Sequence, residues 1–229
     1  MDFSNIYKKV SSSVVNIIQV DSSKNCQSFA TGVIVGDGTK VLTCSHCVSS
    51  IYVNAIYLRD TNQYLSGTIM FNDVKSDIAI LDMGRVVGTA SRIISSSGVE
   101  VGNEVFTVGF PYDFAGEKTL TSGHIAAFEN DLIKIDTSVN NGNSGGALFN
   151  DSGEIIGIIN AKLGRLSKFL EQIEQYQPQA FMTISGVDPV SVIQQMIREM
   201  KRNLNLGIGY AIPTDIIAKK STFIQSIII

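Results

Sequence analysis

Residues 31–43 read Thr-Gly-Val-Ile-Val-Gly-Asp-Gly-Thr-Lys-Val-Leu-Thr. The β-branched run Thr31–Val35 breaks at Gly36-Asp37-Gly38 and is answered by Lys40–Thr43. Glycine and aspartate tolerate the positive φ of a tight turn, so two apolar runs joined this way read as a β-hairpin. The pattern repeats on both sides. Val14–Ile18 lies upstream; Ile51–Leu58, Gln63–Phe71, Ile78–Leu81, Glu104–Val108, Thr119–Phe128 and Leu132–Ile135 follow. Many short strands with no helix between them predict an all-β sandwich or a pair of barrels. The chain is read as a single domain with an N-terminal β unit over about 1–90 and a C-terminal one over 91–229. The junction is placed in the Ser- and Gly-rich stretch Gly84–Val99.

After residue 162 the period changes. Leu163, Leu166, Phe169, Leu170, Ile173 and Tyr176 fall at helical spacing, as do Ile193, Met196, Ile197, Met200 and Leu204. Asp188-Pro189 is a helix start, with Asp as cap and Pro at the first helical position. The β pattern returns at Leu206–Ile212. Residues 163–205 therefore read as a helical insertion near the C-terminus, expected beside the substrate cleft because the strand after it must return there.

The 229 residues are 44% apolar and 17% charged, enough for a large core. A net charge of −3 gives no reason to expect nucleic acid or an anionic membrane as partner. No stretch reaches the roughly 18 apolar residues of a membrane span. Met1–Val10 carries no apolar run of signal-peptide length. Three cysteines cannot pair completely. A reducing, cytoplasmic compartment is favoured over a trimmed exported protein, and the compartment stays open.

Three short segments carry chemistry: Thr43-Cys44-Ser45-His46-Cys47-Val48, Ser76-Asp77-Ile78-Ala79-Ile80-Leu81 and Gly142-Asn143-Ser144-Gly145-Gly146. A serine hydroxyl is a weak nucleophile unless a base takes its proton and a carboxylate orients that base. Histidine suits the base role because its ordinary pKa is about 6.5. The attacked carbonyl becomes an oxyanion that needs backbone N–H donors. The glycine-rich loop Gly142-Asn143-Ser144 can supply these, through Gly142 and Ser144. The chain order His46, Asp77, Ser144 differs from that of the α/β-hydrolases and the subtilisins and is that of the chymotrypsin arrangement.

These segments resemble those of the HtrA/Deg branch of the trypsin-like serine proteases. Gly142–Leu148 is similar to that branch's Gly-Asn-Ser-Gly-Gly-x-Leu motif, and Ser76–Leu81 to its aspartate motif. Val101–Val105, Thr121–Gly123 and Gly207–Pro213 match further landmarks, and Phe3–Ile17 resembles its N-terminal segment. The resemblance implies the chymotrypsin-like fold, two six-stranded antiparallel β-barrels, and a serine endopeptidase needing no cofactor. His46, Asp77 and Ser144 would be catalytic. Ser138 would floor the primary pocket, with Val139 and Ile159-Asn160-Ala161 as walls. Ser138 is not acidic, so small or medium apolar residues are expected before the cut. Protein or peptide substrates would be the partners. A homotrimer held by the aromatic N-terminal segment, through Phe3 and Tyr7, is a further expectation.

There are departures. Asn143 stands where zymogen-type trypsins carry the aspartate that pairs with a new N-terminus, so control by that ion pair is not expected. The PDZ domains of the branch find no counterpart in these residues. Cys47 matches a disulfide position of extracellular trypsins, but the expected partner position, near Ala30 or Thr31, holds no cysteine. Cys26, Cys44, His46 and Cys47 could form a Cys₃His zinc set. The adjacency of His46 and Cys47, and the role of His46 as base, argue against it, so no metal is expected and Cys44 and Cys47 read as small core residues. His124 has no motif around it. The alternative function is a latent or inactive protease-fold module that binds peptides or partner proteins.

Overall fold

The computed structural model describes residues 3–23, 25–58, 63–111, 117–160, 173, 176, 188–203 (backbone only from 198) and 207–229. The hairpin that opened the sequence reading joins β2 (Cys26–Val35) to β3 (Lys40–Thr43), with Val33 opposite Leu42 and Val35 opposite Lys40. Gly36 and Gly38 take φ of 66° and 87°, which side chains rarely adopt. Asp37 Oδ1 closes the turn by accepting from the Thr39 N–H at 3.0 Å and its hydroxyl at 2.6 Å.

β1 (Val14–Val20), β4 (Val53–Leu58), β5 (Gln63–Asp73) and β6 (Ile78–Asp82) join this hairpin in a closed antiparallel barrel of order β1-β2-β3-β6-β5-β4. The second barrel contains β7 (Glu104–Gly109), β8 (Thr119–Glu129), β9 (Leu132–Ile135), β10 (Ala147–Asn150), β11 (Ile155–Ile159) and β12 (Gly209–Pro213). Its cyclic order is β7-β8-β9-β12-β11-β10, the same connectivity as the first. The shared order is what two copies of one ancestral unit would have. Closure leaves no unpaired edge among the described strands. The β8–β9 turn places Asn130 and Asp131 at φ of 52° and 62°, a primed turn these short polar residues tolerate.

Each chain end packs on the other barrel. α1 (Ser4–Val10) lies on the second barrel: the Phe3 ring sits 5.1 Å from Phe106, which stacks on Phe149 at 5.1 Å. Val10 and Ile6 press on Gly153, where a Cβ would meet Val10 Cγ1 at 2.9 Å.

α2 (Pro189–Asn203) is the second helix expected in the insertion, and Asp188 Oδ1 accepts from the Val190 N–H at 3.0 Å as its cap. Its apolar stripe is only partly used: Ile197 is buried, whereas Ile193 and Met196 are about half exposed. The Met200 side chain and Leu204 lie outside the described residues. So do Leu163, Leu166, Phe169 and Leu170 of the first expected helix. Gln194 Nε2 donates to the carbonyls of Ile173 and Tyr176 at 3.3 and 2.7 Å.

α3 (Thr214–Lys220) and α4 (Thr222–Ile227) follow β12 and lead back to the first barrel. Ile217 and Ile224 join its core, and the Phe223 ring covers Gly36. Thr214 Oγ1 donates to the Ile94 carbonyl at 2.7 Å, and the Ile229 N–H to Ile93 at 3.1 Å. The two ends act as opposed straps across the barrel pair.

Candidate active site

His46 and Asp77 both come from the first barrel. β3 ends at Thr43, and a single 3₁₀ turn, Ser45–Cys47, closed by the Cys47 N–H to the Cys44 carbonyl at 3.1 Å, lifts His46 off the barrel rim. Asp77 heads β6, with φ of 56°, a left-handed conformation that costs a non-glycine residue about 1–2 kcal/mol. Bonds to both oxygens hold its carboxylate there. Oδ1 accepts from the His46 N–H at 2.9 Å, Oδ2 lies 2.7 Å from His46 Nδ1, and Asn160 Nδ2 donates to Oδ2 at 2.9 Å. The backbone and the ring of His46 are both referenced to one carboxylate.

Ser144 arrives from the second barrel, in the loop between β9 and β10. Its carbonyl accepts from the Thr31 N–H at 3.0 Å and from Cys47 Sγ at 3.5 Å, which bonds it to the first barrel beside His46. Thr31 Oγ1 donates to the Gly142 carbonyl at 2.7 Å and accepts from the Phe110 N–H at 3.0 Å, pinning the loop. Gly145, at φ of 83°, fits closely beneath: a Cβ there would run into Thr43 Oγ1 and the Thr31 carbonyl. Among the described residues the Ser144 hydroxyl makes no hydrogen bond to His46. Catalytic bonds of this kind often tighten only when substrate binds.

Gly142 takes φ of 99°. The Asn143 N–H is already committed to the Asn140 carbonyl at 3.0 Å, and the Asn143 carbonyl accepts from Gly146 at 3.0 Å. Among the described residues the N–H groups of Gly142 and Ser144 have no acceptor. Two donors of the loop are thus available for an oxyanion, and the third is structural. The Asn143 amide is buried against Gly109, 2.6 Å from where its Cβ would stand.

Burial opposes charge on His46, but the bond to Asp77 and the neighbouring Cys47 sulfur outweigh it and raise its pKa from 6.5 to about 9. Cys44, bonded to Cys47 and fully buried, is pushed well above the usual thiol value. Cys47 is drawn down to about 6, by its bond to Cys44 first and by His46 against the effect of burial.

The pocket residues separate. Ser138 is exposed, and Val139 packs on Gly209, where a Cβ would collide with it. Ile159 is wholly buried, its carbonyl accepting from Gly145 at 2.9 Å and from Cys44 Sγ at 3.3 Å. Asn160, expected as a pocket wall, turns its amide to Asp77, and its N–H donates to the Tyr210 carbonyl at 2.8 Å. Ala161 lies outside the described residues. His124 is exposed on β8, with Nδ1 3.5 Å from Asp136. Sequence reasoning missed the contact of Asn160 and the pinning role of Thr31. A polar residue ending the buried run Ile155–Ile159 was the available signal for the first; a threonine inside a β-branched strand gave none for the second.

The trypsin-like peptidase domain model matches residues 30–158. The chain is 27% identical over 199 residues to a probable periplasmic serine endoprotease, DegP-like, of Pseudomonas savastanoi pv. phaseolicola, covering 83% of this chain and 38% of that protein. It is 30% identical over 186 residues to the DegP-like protein of Hahella chejuensis, covering 78% and 36%. It thus spans well under half the length of these relatives. Among solved structures, the HtrA-type protease AlgW with tripeptide superposes with a TM-score of 0.67 at 23% identity, over 96% of this chain and 62% of that one. The serine endoprotease from Yersinia pestis gives 0.68 at 22%, over 98% and 66%. With two barrels of one connectivity and the motif-bearing loops meeting between them, the chain belongs to the trypsin-like peptidase family and is similar to its DegP/HtrA-like members.

Proposed function

We propose that the protein is a serine endopeptidase in which Ser144 attacks a peptide carbonyl while His46 removes its proton. Asp77 holds the His46 tautomer and offsets the imidazolium charge. The N–H groups of Gly142 and Ser144 receive the oxyanion, and water then hydrolyses the acyl-enzyme. The observation that carries this reading is the position of Ser144, bonded through its carbonyl to Thr31 and Cys47 beside a histidine locked onto Asp77.

Substrates are proteins or peptides bound in extended form and cleaved after small or medium apolar residues. Ser138 offers no charge to a lysine or arginine. Val139, partly exposed, adds apolar surface. A homotrimer held through the aromatic N-terminal segment, Phe3 and Tyr7, remains part of the proposal. A fluorophosphonate probe, which reacts only with an activated serine, tests the central assignment: it should label wild type and not Ser144→Ala.

The absent bond between the Ser144 hydroxyl and His46 supports a second reading, in which the site is latent until a bound peptide draws the two together. Labelling that appears only when peptide is added would favour that reading.

A further inference from the structure

Cys44 and Cys47 bracket the 3₁₀ turn that carries His46, and the catalytic proposal gives neither sulfur a chemical step. Both are free thiols and both are buried. Chain adjacency of His46 and Cys47 argued against a shared metal, but the turn removes that objection. The sulfurs of Cys44 and Cys47 and a ring nitrogen of His46 all lie within 4.8 Å of one another. Cys26, the fourth member of the set considered from sequence, is exposed and not part of this group. Zinc–sulfur bonds of about 2.3 Å and zinc–nitrogen bonds of about 2.0 Å in a tetrahedron place donors roughly 3.5–3.8 Å apart. Closing the group onto an ion therefore needs movements of about 1 Å. The ring edge of His46, whose side chain is 22% exposed, gives a route from the cleft.

We propose that Cys44, His46 and Cys47 form a three-ligand site for a thiolate-preferring divalent cation of the zinc and cadmium class, and that its occupation switches the peptidase off. As two sulfur–metal bonds and one nitrogen–metal bond form, every proton held by the two sulfurs and by the liganding ring nitrogen leaves to solvent. The hydrogen bonds that the thiols now give to the carbonyls of Ile159 and Ser144 are lost with those protons. His46 adds a nitrogen lone pair, and a water completes the tetrahedron. Either ring nitrogen ends catalysis. A cation on Nε2 occupies the lone pair that would take the serine proton; one on Nδ1 displaces Asp77. Only the inhibition rests on the peptidase reading; the binding does not.

The test uses the full chain carrying Cys26→Ser, so that the exposed thiol is silent. Cadmium titration should give a near-ultraviolet sulfur-to-metal charge-transfer band that saturates at one equivalent. Cys44→Ala and Cys47→Ala should each weaken binding by at least about tenfold, the cost of losing even an outer partner of a metal site. Cys44→Ser and Cys47→Ser serve if the alanine variants fail to fold. Zinc should abolish fluorophosphonate labelling, a chelator should restore it, and magnesium should do neither. No band at one equivalent, or a band unchanged in both single variants, overturns the site. Binding without loss of labelling overturns the switch. A wild type that never labels defeats the peptidase reading, and the cadmium titration still decides the site.

Discussion

Replacing Asn160 by alanine removes one hydrogen bond, 2.9 Å long, from the carboxylate of Asp77. Asn160 is almost wholly buried, so water cannot replace its amide without rearrangement. The variant keeps the backbone bond from residue 160 to Tyr210, so β11 and β12 stay in register. A hydrogen bond to a charged group contributes about 1.5–3 kcal/mol. If Asn160 acts by holding Asp77 against His46, that energy is lost from the transition state, where the imidazolium forms. The expected fall in the second-order rate of fluorophosphonate labelling is then about 10- to 150-fold. The loss should appear in kcat rather than KM for a peptide substrate, because Asn160 positions Asp77 and does not touch substrate. Asn160→Asp should be worse, since it sets a second carboxylate against Asp77. Asn160→Ala that labels within twofold of wild type, with an unchanged melting temperature, would refute the reasoning.

Three further outcomes follow from the same geometry. Because the His46 pKa is raised from 6.5 to about 9, and only the neutral ring can accept a proton, labelling should increase as pH rises from 6.5 towards 9; an acid limb at or below the ordinary histidine value would contradict this. Gly145→Ala forces a Cβ onto Thr43 Oγ1 and the Thr31 carbonyl at a φ of 83° and should cost about 3 kcal/mol by urea unfolding; a loss under about 0.5 kcal/mol would show that the loop can move aside. Ser138→Asp should shift cleavage in a peptide library towards lysine and arginine, and an unchanged profile would place the primary pocket elsewhere.

Strands were legible because their signal is local. β-branched runs and the Gly-Asp-Gly turn mark β1 to β9 to within a few residues, and Asp188-Pro189 marks the start of α2. Closure of each barrel and the shared strand order depend on pairings between distant strands, which periodicity does not encode. α3 and α4, of 7 and 6 residues, are too short to show a helical period. Their place is decided by Ile217, Ile224 and Phe223 finding the first barrel. At the site, His46, Asp77 and Ser144 were singled out by residue type, motif and chain order. The bond from Asn160 to Asp77 spans 83 positions, and the left-handed backbone of Asp77 is held by contacts made in three dimensions. The convergence of Cys44, His46 and Cys47 depends on the 3₁₀ turn, which the spacing C-x-H-C did not announce.

The most direct measurement is fluorophosphonate labelling of wild type, His46→Ala and Ser144→Ala, with the modified residue located by peptide mass. One adduct is expected, on Ser144, absent in Ser144→Ala and slowed by orders of magnitude in His46→Ala, with peptide turnover in Ser144→Ala falling about 10⁴-fold or more. An adduct on another residue, or peptide cleavage by Ser144→Ala at a rate comparable to wild type, would contradict it.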